Sequence, residues 1–279
     1  MSQSPRVGGI FTFPLKSGAG LDKKQSLVFE TGLEGDREFI LTDEHGKFLT
    51  QRLDPSLALV KVAKVGTDAI KFSSPVGHLS FLADGITDMD VVVWKDQVNA
   101  RCLGDVSKLL PHRAGKTFLV RVKKDRPRFV SEKYGSKVPY WFADGFPLLV
   151  TSSSTLESLN REISREGAEP IPMSRFRPNI VIDGWDPLNE DHVEEFQIGG
   201  QVTVRLVKPC VRCIMTTIDQ NQGVKSGKEP LNRLSRDRYS AQYKGPVFGW
   251  NGYMTGKPGS ISIGDPVSIS KFNPGRTIE

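Results

Sequence analysis

The sequence predicts a mostly β fold with a few helices, an α+β chain arranged as a barrel with an associated α+β lobe. Three observations carry this. Short β-branched and aromatic runs recur between Gly, Asp and Pro through the first 120 residues. Clear helical periodicity is confined to a stretch after residue 152, and strand-like runs resume beyond it. A chain of 279 residues can bury a sizeable core, and no internal repeat or low-complexity tract interrupts it. The expected division is residues 1–120 and residues 121–279.

Taken in order, "GGIFTFPL", "REFILTDEHGKFLTQR", "ALVKVAKV", "AIKFSS", "HLSFLA" and "DVVVWKDQVNARC" read as strands. "FILTDEHGKFLT" reads as a hairpin turning around Asp43 to Gly46, with His45-Gly46 supplying a positive φ. A short helix is expected near "GDVSKLLPHR". Beyond residue 120, "FPLLV" reads as a buried strand feeding through a serine cluster into a helix. There Leu156, Leu159 and Ile163 share a face, and Ser154 with Glu157 forms a capping box. "NIVIDG", "EEFQIGGQVTVRLVK", "IMTTID" and "GSISIGDPVSI" follow as strands. Val202, Val204 and Leu206 alternate with Thr203, Arg205 and Val207, entered through the Gly199-Gly200 turn.

The composition is that of a folded chain: 38% apolar and 25% charged, with 38 basic against 32 acidic residues and a net charge of +6. So small an excess permits an acidic partner but does not argue for nucleic acid. The densest basic run, Arg121 to Arg128, contains Asp125 and Pro127 and lacks the aromatics of a base-stacking surface. It reads as a solvated loop or a docking patch for an acidic protein. Three cysteines do not form a secreted disulfide framework, and no stretch approaches the ~20 apolar residues of a membrane helix. A soluble, cytoplasmic protein with no membrane segment is expected.

Cys210 and Cys213 stand three apart in "KPCVRC". A structural zinc site needs a second pair or suitably spaced histidines, and His45, His78, His112 and His192 are scattered. A thioredoxin-like pair needs a helix N-terminus, whereas β-rich flanks place this pair on a strand-to-strand loop, with Pro209 closing the first strand. Two inert small side chains remain an alternative. Lys208 and Arg212 beside the thiols favour the thiolate, which suits a metal that brings most of its other ligands with it.

Several stretches carry a resemblance that covers nearly the whole chain: "FRPNIVIDG", "QIGGQVTVRLVKPCVRCIMTTID", "KEPLNRL", "FGWNG" and "PGSISIGDPV". In this order they resemble the MOSC domain. "FTFPLKSGAG", "GLEGDREFILTDEHGKFLTQR" and "YWFADGFPLLVTSSSTLESLN" resemble the N-terminal β-barrel segment and junction that accompany it. The branch it is most similar to reduces N-hydroxylated compounds such as amidoximes, hydroxylamines and N-oxides. The resemblance implies a molybdenum cofactor, one molybdopterin dithiolene plus one protein cysteine, with the site's core in residues 121–279 completed by the N-terminal part. Cys213 matches the metal ligand and catalytic cysteine, and Cys210 a structural neighbour. Lys16, Ser17, Arg37, Ser152, Ser153, Thr155, Arg177, Asn179 and Arg212 match cofactor contacts. Val211 stands where the family often has serine, and a family tyrosine contact does not align near "FGWNGYMTG". Two electrons and two protons would convert N–OH to the reduced product and water. They would come from a separate cytochrome b5-type or ferredoxin-type carrier with a flavin reductase. No general acid is assigned; Asp219, Asp191 and Glu190 are near in sequence but read as solvated loop carboxylates. The competing reading is a non-enzymatic molybdenum-cofactor or sulfur-carrier protein.

Overall fold

The computed structural model describes residues 4–135 and 137–278. Burial on one face fixes the central strands. In Val202–Val211, Val202, Val204 and Leu206 are at most 2% exposed, while Thr203, Arg205 and Val207 are not buried. Gly199 and Gly200, with φ of 58° and 69°, turn the chain into this strand from Val193–Ile198, a left-handed geometry that glycine adopts without strain.

These two strands belong to a nine-stranded sheet. Its order is Leu21–Asp22, Arg6–Thr12, Ile180–Asp183, Leu148–Ser152, Gly245–Thr255, Val202–Val211, Val193–Ile198 and Val267–Phe272, with Tyr239–Ser240 branching from Gly245–Thr255. All its pairings are antiparallel except Leu148–Ser152 with Ile180–Asp183, where helix α1 (Ser153–Arg165) makes the crossover. α1 buries Leu159 and Ile163 against Phe176, Phe248 and Leu234, the last from helix α2 (Leu231–Asp237). The ladder is open rather than a closed barrel. Its two sides meet at the Arg6–Pro266 bridge and through hydrogen bonds from the Val267 N–H to the Pro5 carbonyl (2.9 Å), the Val7 N–H to the Asp265 carbonyl (2.9 Å) and the Gly264 N–H to the Val7 carbonyl (2.8 Å).

The first part builds a four-stranded sheet, Phe39–Asp43, Thr117–Arg121, Asp96–Asp105 and Thr87–Val93, beside a three-stranded one, Lys61–Val65, Ala69–Ser74 and Gly77–Leu82. Phe39–Asp43 is buried on both faces. Phe39 and Leu41 join one apolar cluster with Phe72 and Leu119, and Ile40 joins another with Val91 and Phe142. Val7, Ile10, Val28 and Leu33 pack instead with Phe196, Val204 and Trp250, so the start of the chain completes the core of the larger sheet. No helix among the described residues is long and apolar enough to cross a membrane.

Local expectations are corrected in five places. The hairpin turn at Asp43 to Gly46 forms, with φ 76° at Gly46, but its return arm makes only the isolated Thr42–Phe48 bridge. "GDVSKLLPHR" yields only the 3-10 turn Ser107–Leu109. The Ser154–Glu157 capping box does not form: Ser152 is the N-cap and its side chain makes no capping bond to the helix backbone, and the Ser154 hydroxyl donates to the Trp185 carbonyl at 2.5 Å. Pro209 does not end its strand, because the register shifts between Leu206 and Lys208 and again between Pro209 and Val211, which accommodates a residue lacking an N–H. "IMTTID" is mostly a 3-10 turn, Ile214–Thr217, and α2 lies in "KEPLNRL", which carried no helical reading.

Candidate functional site

A cleft of about 180 Å³ opens between the two parts, walled by residues near 16–17, 37, 48–52, 94, 143–149, 175–179, 210–216 and 251. Six cations line it, Lys16, Arg37, Arg52, Arg175, Arg177 and Arg212, against one carboxylate, Asp144. So many like charges around one hollow favour an anionic ligand.

The backbone aims several of these side chains by unusual geometry. Of the seven non-glycine residues with positive φ among the described residues, four line the cleft: Ser17 (63°), Arg37 (50°), Trp94 (59°) and Arg177 (54°). Such conformations are uncommon outside glycine and cluster at functional sites.

Arg37 and Arg177 share one anchor, their guanidinium carbons 4.3 and 4.2 Å from the Phe13 ring centre. Arg37 Nη1 donates to both oxygens of Asp36, at 2.7 and 2.6 Å. Burial pushes the Asp36 carboxyl above its ordinary value, although Arg37 and the Phe13 N–H oppose that. Arg177 Nη1 donates to the Gly18 carbonyl (2.6 Å) and to Gln220 Oε1 (3.1 Å). Burial, reinforced by Arg37, lowers the Arg177 pKa to about 9.

Lys16 Nζ donates to the Phe142 carbonyl (2.8 Å) and to Asp144 Oδ1 (2.5 Å). Burial lowers the lysine's pKa while Asp144 opposes the shift. Asp144 faces the open cleft and is 66% exposed. Its setting disfavours the charged form, but Lys16 and the Trp94 indole outweigh that and hold the carboxyl well below the usual range. Asn179 lines the cleft but spends its amide on the Leu149 N–H (3.1 Å) and the Phe11 carbonyl (3.3 Å).

Cys213 begins the Ile214–Thr217 turn, half-buried, and Arg52 Nη2 lies 3.6 Å from its sulfur. Arg52 in turn rests on the Trp94 ring at 4.6 Å. Cys210 also lines the cleft, where its sulfur accepts from Arg212 Nη1 at 2.8 Å; both thiols are free. Arg212 Nη2 donates to the Phe176 carbonyl at 2.7 Å, yet the Nε atoms of Arg175 and Arg212 are buried without a partner. Among the described residues no group of three or more His, Cys, Asp or Glu could hold a metal. A metal bound through Cys213 would therefore bring its remaining ligands with it.

The structure thus gathers Lys16, Ser17, Arg37, Arg177, Asn179, Arg212 and Cys213 around one cleft. It does not bring Ser152, Ser153 or Thr155 there. Ser152 bonds Ser154, Ser153 lies 3.5 Å from the Ile182 carbonyl, and Thr155 donates to Glu190 Oε2 at 2.8 Å. The start of α1 is used up by the fold. Glu190 and Asp191 are not solvated loop carboxylates, being 1% and 7% exposed, and neither lines the cleft. Asp219 uses Oδ1 to hold the N–H groups of Asn221 and Gln222. Sequence reasoning missed Arg52, Trp94, Asp144 and Arg175. Arg52 closes the quoted "KFLTQR" stretch, but only the fold of the first part carries it to the thiol.

Fold and site define a two-part β protein built around an electropositive cleft that holds free thiols. The chain belongs to the MOSC family: residues 138–268 match the MOSC domain, and residues 4–117 match the MOSC N-terminal beta barrel domain. It is 28% identical to mitochondrial amidoxime-reducing component 1 of Homo sapiens, over 96% of this chain and 84% of that protein. Mitochondrial amidoxime reducing component 2 of Homo sapiens is also 28% identical, over 96% and 84%. Component 1 of Danio rerio is 27% identical, over 94% and 83%.

Proposed function

We propose that this protein is a molybdenum-cofactor-dependent reductase of N-hydroxylated compounds that draws electrons from a separate carrier. The observation that carries the reading is the convergence of six cations and Cys213 on one cleft. The residues fit a phosphorylated pterin. The orphaned Nε donors of Arg175 and Arg212 await acceptors, and a buried donor left unpaired is costly. A half-buried free thiol stands beside them.

Lys16, Ser17, Arg37, Arg177 and Arg212 would hold the cofactor, and Cys213 would supply the protein's sulfur to the metal. When bound, the group supplies the two-electron chemistry that removes oxygen from N–OH as water. The chain's own residues bind and orient. The Phe13 ring and the Asp36 carboxylate fix Arg37, and Gly18 and Gln220 fix Arg177, so the anion meets preset donors. Arg52 places positive charge beside the sulfur, and Phe48, Trp94 and Phe146 line the cleft with aromatic surface. A cytoplasmic setting, where free thiols persist, belongs to the same reading.

The test is reduction of an aryl amidoxime by cofactor-loaded protein with reduced methyl viologen as donor. Turnover is expected in wild type and lost in Cys213→Ser. Absence of turnover in wild type carrying molybdenum would overturn the proposal.

A further inference from the structure

Three of the five cations in the basic run that stands out in the sequence are paired within the fold. Lys123 holds Asp88 and Asn99, Arg121 reaches Glu38, and Arg128 pairs with Asp96. A different set of cations remains available. Among the described residues Lys133, Lys208 and Lys244 make no ion pair with a carboxylate. Lys208 Nζ lies 5.5 Å from the Tyr134 ring centre and 5.6 Å from that of Tyr243. Lys133 Nζ lies 5.3 Å from the same Tyr134 ring. Lys244 is exposed directly after Tyr243, and Glu132 beside Lys133 is the nearby carboxylate in sequence. The cations whose charge bears on Tyr243 are Lys133 and Arg276.

The patch is continuous with the cleft. Tyr134 packs edge-on against Phe146, a cleft wall, with ring centres 5.6 Å apart. Lys208 precedes Cys210 by two residues on the strand that leads to Cys213. Aromatic faces hold the lysines in place while leaving their charge uncancelled.

We propose that this lysine–tyrosine patch docks the acidic face of a small electron-carrier protein. The inference rests on the reductase reading, which requires a carrier to approach the thiol-bearing cleft. Redox encounters of this kind are small, transient and steered by charge, so unpaired cations at the cleft's edge are what such a partner would meet.

The test uses the full chain and two acidic probes, a purified soluble cytochrome b5-type haem domain and a [2Fe–2S] ferredoxin. Binding is titrated at low and high salt, and turnover is measured with each carrier and with reduced methyl viologen. Charge reversal in K133E/K208E/K244E should weaken binding of the carrier by about tenfold or more and raise its KM, and K133E/K244E should leave viologen-driven turnover unchanged. K133E/K244E, which spares the half-buried Lys208, should show a smaller loss in the same direction, and K124E none. Wild-type binding should weaken about tenfold from low to high salt. The proposal is overturned if neither carrier binds wild type, if the triple variant binds equally well, if K124E loses as much, or if random RNA binds more tightly than either carrier. Lack of viologen-driven turnover in wild type would instead sink the reductase reading, and carrier binding would still judge the patch.

Discussion

Glu190 gives one oxygen to the Thr155 hydroxyl and sits next to Asp191, whose carboxylate is held by Arg238 and the Trp250 indole. Burial, with Asp191 adding to it, pushes the Glu190 carboxyl up to about 7. A carboxyl with a raised folded value stabilises the fold fully below its unfolded value, near ~4.3, and loses that contribution as pH rises through the folded value. Stability should therefore fall between about pH 5 and about pH 8 through this group. In Glu190→Gln that decline should flatten, with a higher urea midpoint than wild type at the alkaline end; identical pH profiles for the two proteins would refute the assignment. Asn179 has a bracing role, so Asn179→Ala should cost about 1–3 kcal/mol in urea unfolding by leaving the Leu149 N–H and Phe11 carbonyl short of partners. An unchanged midpoint would remove that role. Lys16, Arg37, Arg177 and Cys213 were named through the family resemblance rather than from their local sequence, and the structure places all four around the cleft. Arg52 and Trp94 were not legible, since their meaning depends on approach across the cleft. The burial of Glu190 and Asp191 was hidden because "NED" after a proline reads as a polar loop.

The strand Gly245–Thr255 is paired with Leu148–Ser152, whose first two residues line the cleft. Gly249 has φ 72°, and a Cβ there would stand 2.6 Å from Thr151 Cγ2 and 2.8 Å from the Val150 carbonyl oxygen. Gly249→Ala should destabilise the protein by more than ~1 kcal/mol, because it meets both the conformational and the steric penalty. A thermal midpoint equal to wild type would contradict this. Strands such as Val202–Val211 were readable because one face is buried and the period is two. The helix start was misread because four consecutive hydroxyl residues, Ser152 to Thr155, offer equivalent caps, and tertiary partners decide among them. Ser154 was drawn to Trp185 and Thr155 to Glu190.

At the scale of the whole molecule, the β-rich character followed from punctuation by Gly, Asp and Pro, but the sharing of strands between the two parts did not. Arg6–Thr12 pairs with Ile180–Asp183, and Gln25–Phe29 pairs with Gly259–Ser262, contacts that no local pattern encodes. Residues 121–279 expressed alone lack Val7, Ile10, Val28 and Leu33 from their core and should show no cooperative unfolding. A sharp thermal transition in that fragment would refute the shared core. The same sharing delivers Lys16, Arg37 and Arg52 to the thiol, so the cleft exists only in the assembled chain. Molybdenum and pterin content per chain, measured for wild type and Cys213→Ala from a host that makes the cofactor, tests that cleft most directly. Wild type should carry both, and Cys213→Ala should keep the pterin while its molybdenum is weakened or electronically altered. Well-folded wild type containing neither would contradict the account.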